Sequence, residues 1–502
     1  MKNIIKFFKS PELYLILIII LAFFVRLYKI DSPIADWHSW RQADTAAVSR
    51  SFYKEGFNPF LPRYDDMSGI SEDPRVIPNI NPERYRMVEF PIGNSLTYFL
   101  YVLNGGVDEK LARLVSIMAS LGSLVFVYLL TRKFFGSATA LVASFLFAVL
   151  PYNIFYSRVI LPDPLLVFFS MGMVYFTHRW ILENTKWLFL IGVFFTISTF
   201  LTKPFGGFYL LPLLYTYYQK EKKWWPIPLR YWLFAFVSLL PFGLWRWWES
   251  KYPEGIPGSS WLFDGDKNTR IRFRPSYWKW ILGDRFGREI LGVAGSFLFF
   301  VGVLRKPEPK QSWFLHLLAL GAFLYLIVVA KGNVQHDYYQ TLIVPVLVIF
   351  VAKGFVDLMR GISGFLPRLY TIPLAMLFMF LTLYLTWGEV KGLYQINNGA
   401  IVEAGKVADR ILPPDAVVVA PYQGDTSFLY QINRPGWAVV AYPMKDLHDM
   451  FKVNYYISTS KDAKTKWVMR KYATLVDNKD FVIVDLTREL PGFDRLNDKE
   501  PN

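Results

Sequence analysis

The sequence predicts a multi-span α-helical membrane protein with a small extracytoplasmic α/β domain at its C-terminal end. Three observations predict it. Long apolar runs recur until about Trp387; 53% of the 502 residues are hydrophobic and 18% aromatic; and beyond Trp387 the pattern changes to short β-branched runs alternating with helical stretches. The division is therefore placed at 1–387 and 388–502.

A bilayer-crossing helix needs roughly 20 apolar residues, and about eleven runs approach that length. They fall at 11–30, 113–131, 138–157, 164–182, 187–202, 204–219, 230–248, 290–304, 312–330, 338–356 and 368–387. The 187–219 pair must turn around Lys203, Pro204 and Gly206. Basic loops stay cytoplasmic, and MKNIIKFFKS, TRKFFG, HRWILENTK, QKEKKWWPIPLR, RKPEPKQ and KGFVDLMRGISGFLPR all fall on one side of this arrangement. The N-terminus is thus expected inside, and everything after Trp387 outside. The net charge of +15 becomes a topology signal and argues against nucleic acid as a partner. The first run follows three lysines and lacks a small-residue cleavage site, which reads as a retained anchor rather than a removed signal peptide. The absence of cysteine excludes disulfides, thiolate catalysis and cysteine-ligated metal, and the five histidines are scattered. No metal or other cofactor is expected.

Three polar segments then share the outer face: 31–112, 249–289 and the C-terminal block. In that block AVVVAP, WAVVAY, VNYYISTS and FVIVDL read as strands, GAIVEAGKVADRIL and TKWVMRKYATL as helices. No glycine-rich phosphate loop occurs there, so its expected role is capping or presenting. Pro91–Gly106 reads as a helix lying at the membrane interface or partly re-entrant. In NTRIRFRPSYWKW, Arg270, Arg272 and Arg274 alternate with Ile271 and Phe273, which on an extended strand puts three guanidiniums on one side. Such a stripe suits either lipid headgroups or a phosphate.

The acids are weighed against capping. Asp44 heads DTAAVSRSFYKEG and reads as the N-cap of a helix from about Thr45 to Glu55. A cap does not need Trp37, His38, Trp40, Arg41 and Gln42 crowded before it, whereas sugar binding uses rings for C–H faces and polar groups for hydroxyls. Asp163 followed by Pro164 is likewise a capping signature, yet with Arg158 it is expected at the same outer level as Asp44, which makes it the second candidate catalytic acid. Lys203 and the stretch KGNVQHDYYQ, with His336, Tyr338 and Tyr339, also fall at outer span ends. Snorkelling and interface anchoring are the plain alternatives for them; their convergence favours a site.

These residues resemble the membrane-embedded glycosyltransferases that use polyprenyl phosphate sugars, and more narrowly the bacterial branch of the protein O-mannosyltransferase and aminoarabinose transferase superfamily. WRQADTAAVSRSFYKEG, EFPIGNSLTYFLYVL, SRVILPDPLLVFF, FLTKPFGGFYLLPLL and HDYYQTLIVPVL carry the resemblance, in order, over roughly residues 10–360. It implies a GT-C fold with a catalytic cavity on the non-cytoplasmic face of a bacterial plasma membrane. It also implies that Asp44 is the base and that the donor is a polyprenyl phosphate sugar. The acceptor would be a hydroxyl of a protein, lipid or glycan. The acidic pair usual in the family is interrupted here by Thr45, and its Glu-Lys-Pro-Pro stretch reads Glu89, Phe90, Pro91, Ile92. With that lysine missing, Lys203, Arg158 and the arginine stripe are the candidates for the donor phosphate, and a lipid A acceptor is disfavoured. One carboxylate suffices for a single inverting displacement, with cations stabilising the leaving phosphate. The rivals are a lipid-linked glycan flippase, disfavoured by the lack of an inverted repeat, and a non-catalytic partner in a surface-assembly complex.

Overall fold

The computed structural model describes residues 10–263, 270–307, 312–361, 367–491 and 499–501. The three N-terminal lysines, Asn268 and Thr269 of the arginine stretch, and parts of the basic loops at 305–311 and 353–368 lie outside the described residues. The chain divides into two compact units. One comprises Met1–Ile30, Arg113–Arg246 and Ser259–Leu393; the other comprises Asp31–Ala112, Trp247–Gly258 and Tyr394–Asn502.

The first unit is helical, and each of the eleven apolar runs lies on helix. By length and composition Glu109–Phe135, Asp163–Glu183, Asp337–Arg360 and Arg368–Ile411 are able to cross a membrane. A fifth is added if Pro275–Ile290 and Ala294–Leu304, bent by 110° at their junction, form one span. Several runs are less regular than expected; 290–304 is interrupted before Ala294–Leu304, and 338–356 opens as a 3-10 stretch, Asp337–Ile343, before Val344–Arg360. The 138–157 run breaks into Ser137–Val149 and Pro151–Tyr156, because Leu150 is extended and Pro151 has no N–H to continue the ladder. The 204–219 run opens as a 3-10 stretch, Pro204–Leu210, before the α-helix Leu211–Glu221. The 249–289 segment, read as a loop, is helical from Pro275.

Helices approach closely where side chains are absent. A Cβ on Gly302 would sit 2.0 Å from the Phe350 carbonyl oxygen, and one on Gly354 1.9 Å from that of Leu298. Ala294–Leu304 and Val344–Arg360 therefore pack backbone to backbone, as small residues allow in membranes.

The second unit is a five-stranded sheet with helices on both faces. β1 (Val417–Val419), β2 (Gly436–Trp437), β3 (Val453–Ser458), β4 (Tyr472–Asp477) and β5 (Val482–Glu489) lie in the order β2-β1-β3-β5-β4. β2, β1 and β3 are parallel, and β5 joins β3 and β4 antiparallel. Alternation sorts the core. Val418, Ile457 and Ile483 pack with the Gly399–Ile411 and Ser427–Ile432 helices. Val419, Tyr456 and Val484 pack with Met444, Leu447, Trp467 and Val468 on the opposite face. The helix expected through TKWVMRKYATL ends at Lys471, and Tyr472 onward pairs with β5 instead.

Residues 31–112 fold with this sheet. Met67 N donates to the Gly436 carbonyl, and Gly436 N to that of Asp65, so residues 65–67 extend the parallel edge beyond β2. The predicted interfacial helix is Ile92–Asn104, ended by Gly105 at φ 74°. Its outer face is apolar, with Leu96, Phe99, Val102 and Leu103 exposed and Asn94, Thr97 and Tyr101 buried.

Candidate active site

The helix carrying Asp44 starts earlier than its sequence suggests. It runs Ser39–Glu55, opened by His38 in a left-handed conformation (φ 54°) with no side-chain cap. Asp44 is therefore inside the helix, and the expected N-cap role is overturned. Twelve of the 17 residues are buried, including Arg41, Gln42, Asp44, Ser49, Arg50 and Ser51. A polar helix buried this way is stable only if its groups find partners. Gln42 donates to Asp36 Oδ1 (2.7 Å) and the Trp37 carbonyl (3.1 Å), tying the turn that precedes the helix. Arg50 donates to Asp65 Oδ2 (2.5 Å) and the Tyr430 carbonyl (2.9 Å), with its guanidinium 4.0 Å from the Tyr430 ring centre.

Each oxygen of Asp44 has its own partner. Oδ2 lies 2.7 Å from Arg86 Nη2, and Oδ1 accepts from Thr426 Oγ1 at 2.6 Å. Arg86 is 7% exposed, its Nε and Nη1 meet no protein acceptor, and its guanidinium sits 5.3 Å from the Tyr64 ring centre. Nearby, Arg41 Nη2 donates to Glu89 Oε1 at 2.6 Å. Arg41, Asp44, Arg86, Glu89 and Asn94 line one small, partly open pocket. Thr45, standing where the family pattern has a second acid, donates to the Arg41 carbonyl (2.9 Å).

Two further carboxylates surround this group. Burial pushes Asp66 up to about 7, opposed by hydrogen bonds from Ser68 and reinforced by the charge of Asp44. Asp425 is raised by burial as well, again opposed by its hydrogen bonds, from Ser427, with Asp44 adding to the rise. Between Asp66 and Asp44 the Tyr64 phenol is pushed well above its ordinary value, mainly by burial. Among the described residues no group of three or more His, Asp or Glu side chains is arranged to hold a metal ion.

The first unit carries a separate polar cluster. Lys203 Nζ donates to both oxygens of Asp163, at 2.8 and 2.9 Å, with the two residues 9% and 4% exposed. Asp163 is the first residue of its helix, whose N-cap is Pro162, and it makes no capping bond. The cap expectation is again replaced by an ion pair. Lys203 lies 4.9 Å from the Tyr339 ring centre and 5.6 Å from that of Tyr338, which stacks on His336. Arg285 completes the neighbourhood, 3.5 Å from Asp337 Oδ2 and 2.6 Å from Glu289 Oε2.

The structure thus gathers the predicted residues into two sets: Trp40, Arg41, Gln42, Asp44 and Glu89, and Asp163, Lys203, His336, Tyr338 and Tyr339. Arg158, fully buried, donates to the Lys29 carbonyl (3.0 Å) and lies over the Phe155 ring. The arginine stripe does not form. Arg270 is left-handed (φ 35°), Ile271–Phe273 is a 3-10 turn, and Arg272 donates to the Phe263 carbonyl, so the strand periodicity never applies. Arg86, Thr426, Asp66 and Asp425 were not legible as site residues. For Arg86 a signal exists in RYRMVEF, where it stands three residues before Glu89; for Thr426 there is none, since its partner is 382 residues away.

Comparison with known proteins follows this geometry. The family model for dolichyl-phosphate-mannose-protein mannosyltransferase matches residues 91–248. The Bacillus subtilis (strain 168) protein named "Putative mannosyltransferase YkcB" is 25% identical over 213 residues, which is 42% of this chain and 26% of that protein's length. ArnT from Cupriavidus metallidurans, solved with undecaprenyl phosphate, is similar with a TM-score of 0.64 at 14% identity, over 95% of this chain and 98% of that one. The archaeal oligosaccharyltransferase AglB from Archaeoglobus fulgidus aligns with a TM-score of 0.52 at 11% identity, over 91% of this chain and 70% of that one. At these identities the structural likeness is one of fold.

Proposed function

Starting from the fold of the GT-C membrane glycosyltransferases, we propose that this chain moves a sugar from a polyprenyl phosphate donor to an acceptor hydroxyl, with Asp44 as the base. The observation that carries this is the Asp44–Arg86 pair in a pocket. It sets a buried carboxylate beside a guanidinium that retains two nitrogens without protein partners.

In the proposed step Asp44 takes the acceptor's proton as the acceptor oxygen bonds to the anomeric carbon. The bond from that carbon to the phosphate oxygen breaks, and the lipid phosphate leaves on the opposite face with inversion. Arg86 offers Nε and Nη1 to the phosphate as charge develops on it, a stabilisation that often dominates catalysis. It supplies a cation that the Glu89–Ile92 stretch lacks. Arg41 is held by Glu89 and shapes the pocket wall. Asp163 is assigned the holding of Lys203 rather than a chemical step. The pocket is proposed to face the non-cytoplasmic side of the membrane, with the basic loops inside.

The test is incubation of purified, reconstituted protein with undecaprenyl phosphate sugars labelled in the sugar. Transfer or hydrolysis of the sugar supports the proposal. Movement of intact donor across the bilayer without either would establish a flippase instead.

A further inference from the structure

We propose that Thr426 is a positioning residue for Asp44, a hydroxyl that turns between two acceptors to serve both protonation states of the base. Because this role requires Asp44 to be the base, it rests on the function proposed above.

Thr426 Oγ1 has two acceptors in reach, Asp44 Oδ1 at 2.6 Å and the Trp40 carbonyl at 3.2 Å. A hydroxyl has one proton, so it donates to one of them at a time. While Asp44 is ionised the short bond to the carboxylate is the stronger, because charge-assisted hydrogen bonds are. When the acceptor's O–H bond breaks, its proton adds to Oδ1, since Oδ2 faces the Arg86 cation. Thr426 then turns its proton to the Trp40 carbonyl and accepts the new carboxyl O–H with its own lone pair. Neither form of the buried acid is left without a partner, and Asp44 keeps its orientation throughout.

The backbone holds the hydroxyl in place. After β1 the chain turns sharply through Gln423 (φ 55°) and Gly424 (φ 79°). Tyr422 N and Gly424 N both donate to the Ala438 carbonyl, and Asp425 Oδ1 accepts from Ser427 N at 2.8 Å. Thr426 itself is 8% exposed. A buried position needing only shape would be filled equally well by valine, which carries no polar group to desolvate.

The experiment compares Thr426→Val, Thr426→Ser and Asp44→Asn in the full chain, following turnover of undecaprenyl phosphate sugars. A lost hydrogen bond to a charged group corresponds to about a 10- to 100-fold effect. Thr426→Val is expected to lose about that much in kcat, with KM for the donor changed less than about twofold. Its acid limb in the pH–rate profile should move upward, because a carboxylate that loses a donor holds its proton more tightly. Arg86, Arg41, Glu89, Tyr64, Asp66 and Asp425 also face this region, and all are the same in both threonine variants. Thr426→Ser, which keeps the hydroxyl, should restore both the rate and the profile. If Thr426→Val matches wild type while Asp44→Asn is inactive, the Thr426 role is overturned and the base assignment stands. Equal loss in the valine and serine variants also overturns it, since the methyl rather than the hydroxyl would then matter. An active Asp44→Asn removes the base, and this role with it.

Discussion

Arg86 Nη2 lies 2.7 Å from Asp44 Oδ2, with the two side chains 7% and 3% exposed. A pair buried this deeply is expensive to break from one side, because the remaining charge has no solvent to turn to. Asp44→Ala should therefore destabilise the protein by roughly 3–5 kcal/mol, measured as a large drop in melting temperature in detergent. Addition of Arg86→Met to Asp44→Ala should recover part of that drop, since no unpaired charge remains.

Arg86 should matter to turnover as well as to stability. Arg86→Gln is expected to lower kcat/KM for the donor by about tenfold or more, because a charge-assisted contact to phosphate is lost. Steady-state measurement over a donor concentration series checks this; an unchanged kcat/KM removes Arg86 from the phosphate.

Lys203 and Asp163 form the second buried pair, with both carboxylate oxygens engaged. Lys203→Met should be destabilising by roughly 3–5 kcal/mol, and Lys203→Met combined with Asp163→Asn should be less so. If the double variant also regains sugar turnover, the pair is structural; if stability returns without activity, Lys203 serves turnover beyond holding Asp163.

Asp66 imposes a pH dependence with a definite sign. Its carboxyl titrates at about 7 in the folded protein against an ordinary 3.8. Between these values the folded state binds more protons than the unfolded state, so stability is full below the lower value and falls as pH rises through the upper one. Asp66→Asn removes this contribution. Melting curves at about pH 5 and about pH 8 should show a larger drop for wild type than for the variant.

Local sequence signals located the elements better than they assigned roles. The apolar runs all lie on helix, because burial and hydropathy need no knowledge of neighbours. Asp163 marked a helix start to within one residue, yet its carboxylate serves Lys203, which lies 40 positions away. Asp44 misled for a different reason. The cap preference of aspartate is real, but here left-handed His38 starts the helix six residues earlier and leaves Asp44 to Arg86 and Thr426. The arginine stripe failed at left-handed Arg270 and the 3-10 turn Ile271–Phe273 that follows it, which no spacing rule could supply. Thr426 required the fold itself.

The most direct test of the central claim is turnover by Asp44→Asn, which keeps the size of the side chain and a carbonyl oxygen for Thr426 while removing the base. With labelled undecaprenyl phosphate sugar and a wild-type preparation that transfers or hydrolyses it, the variant should fold, bind donor and lose roughly 100-fold or more in kcat. Sugar turnover at the wild-type rate by Asp44→Asn would contradict the account.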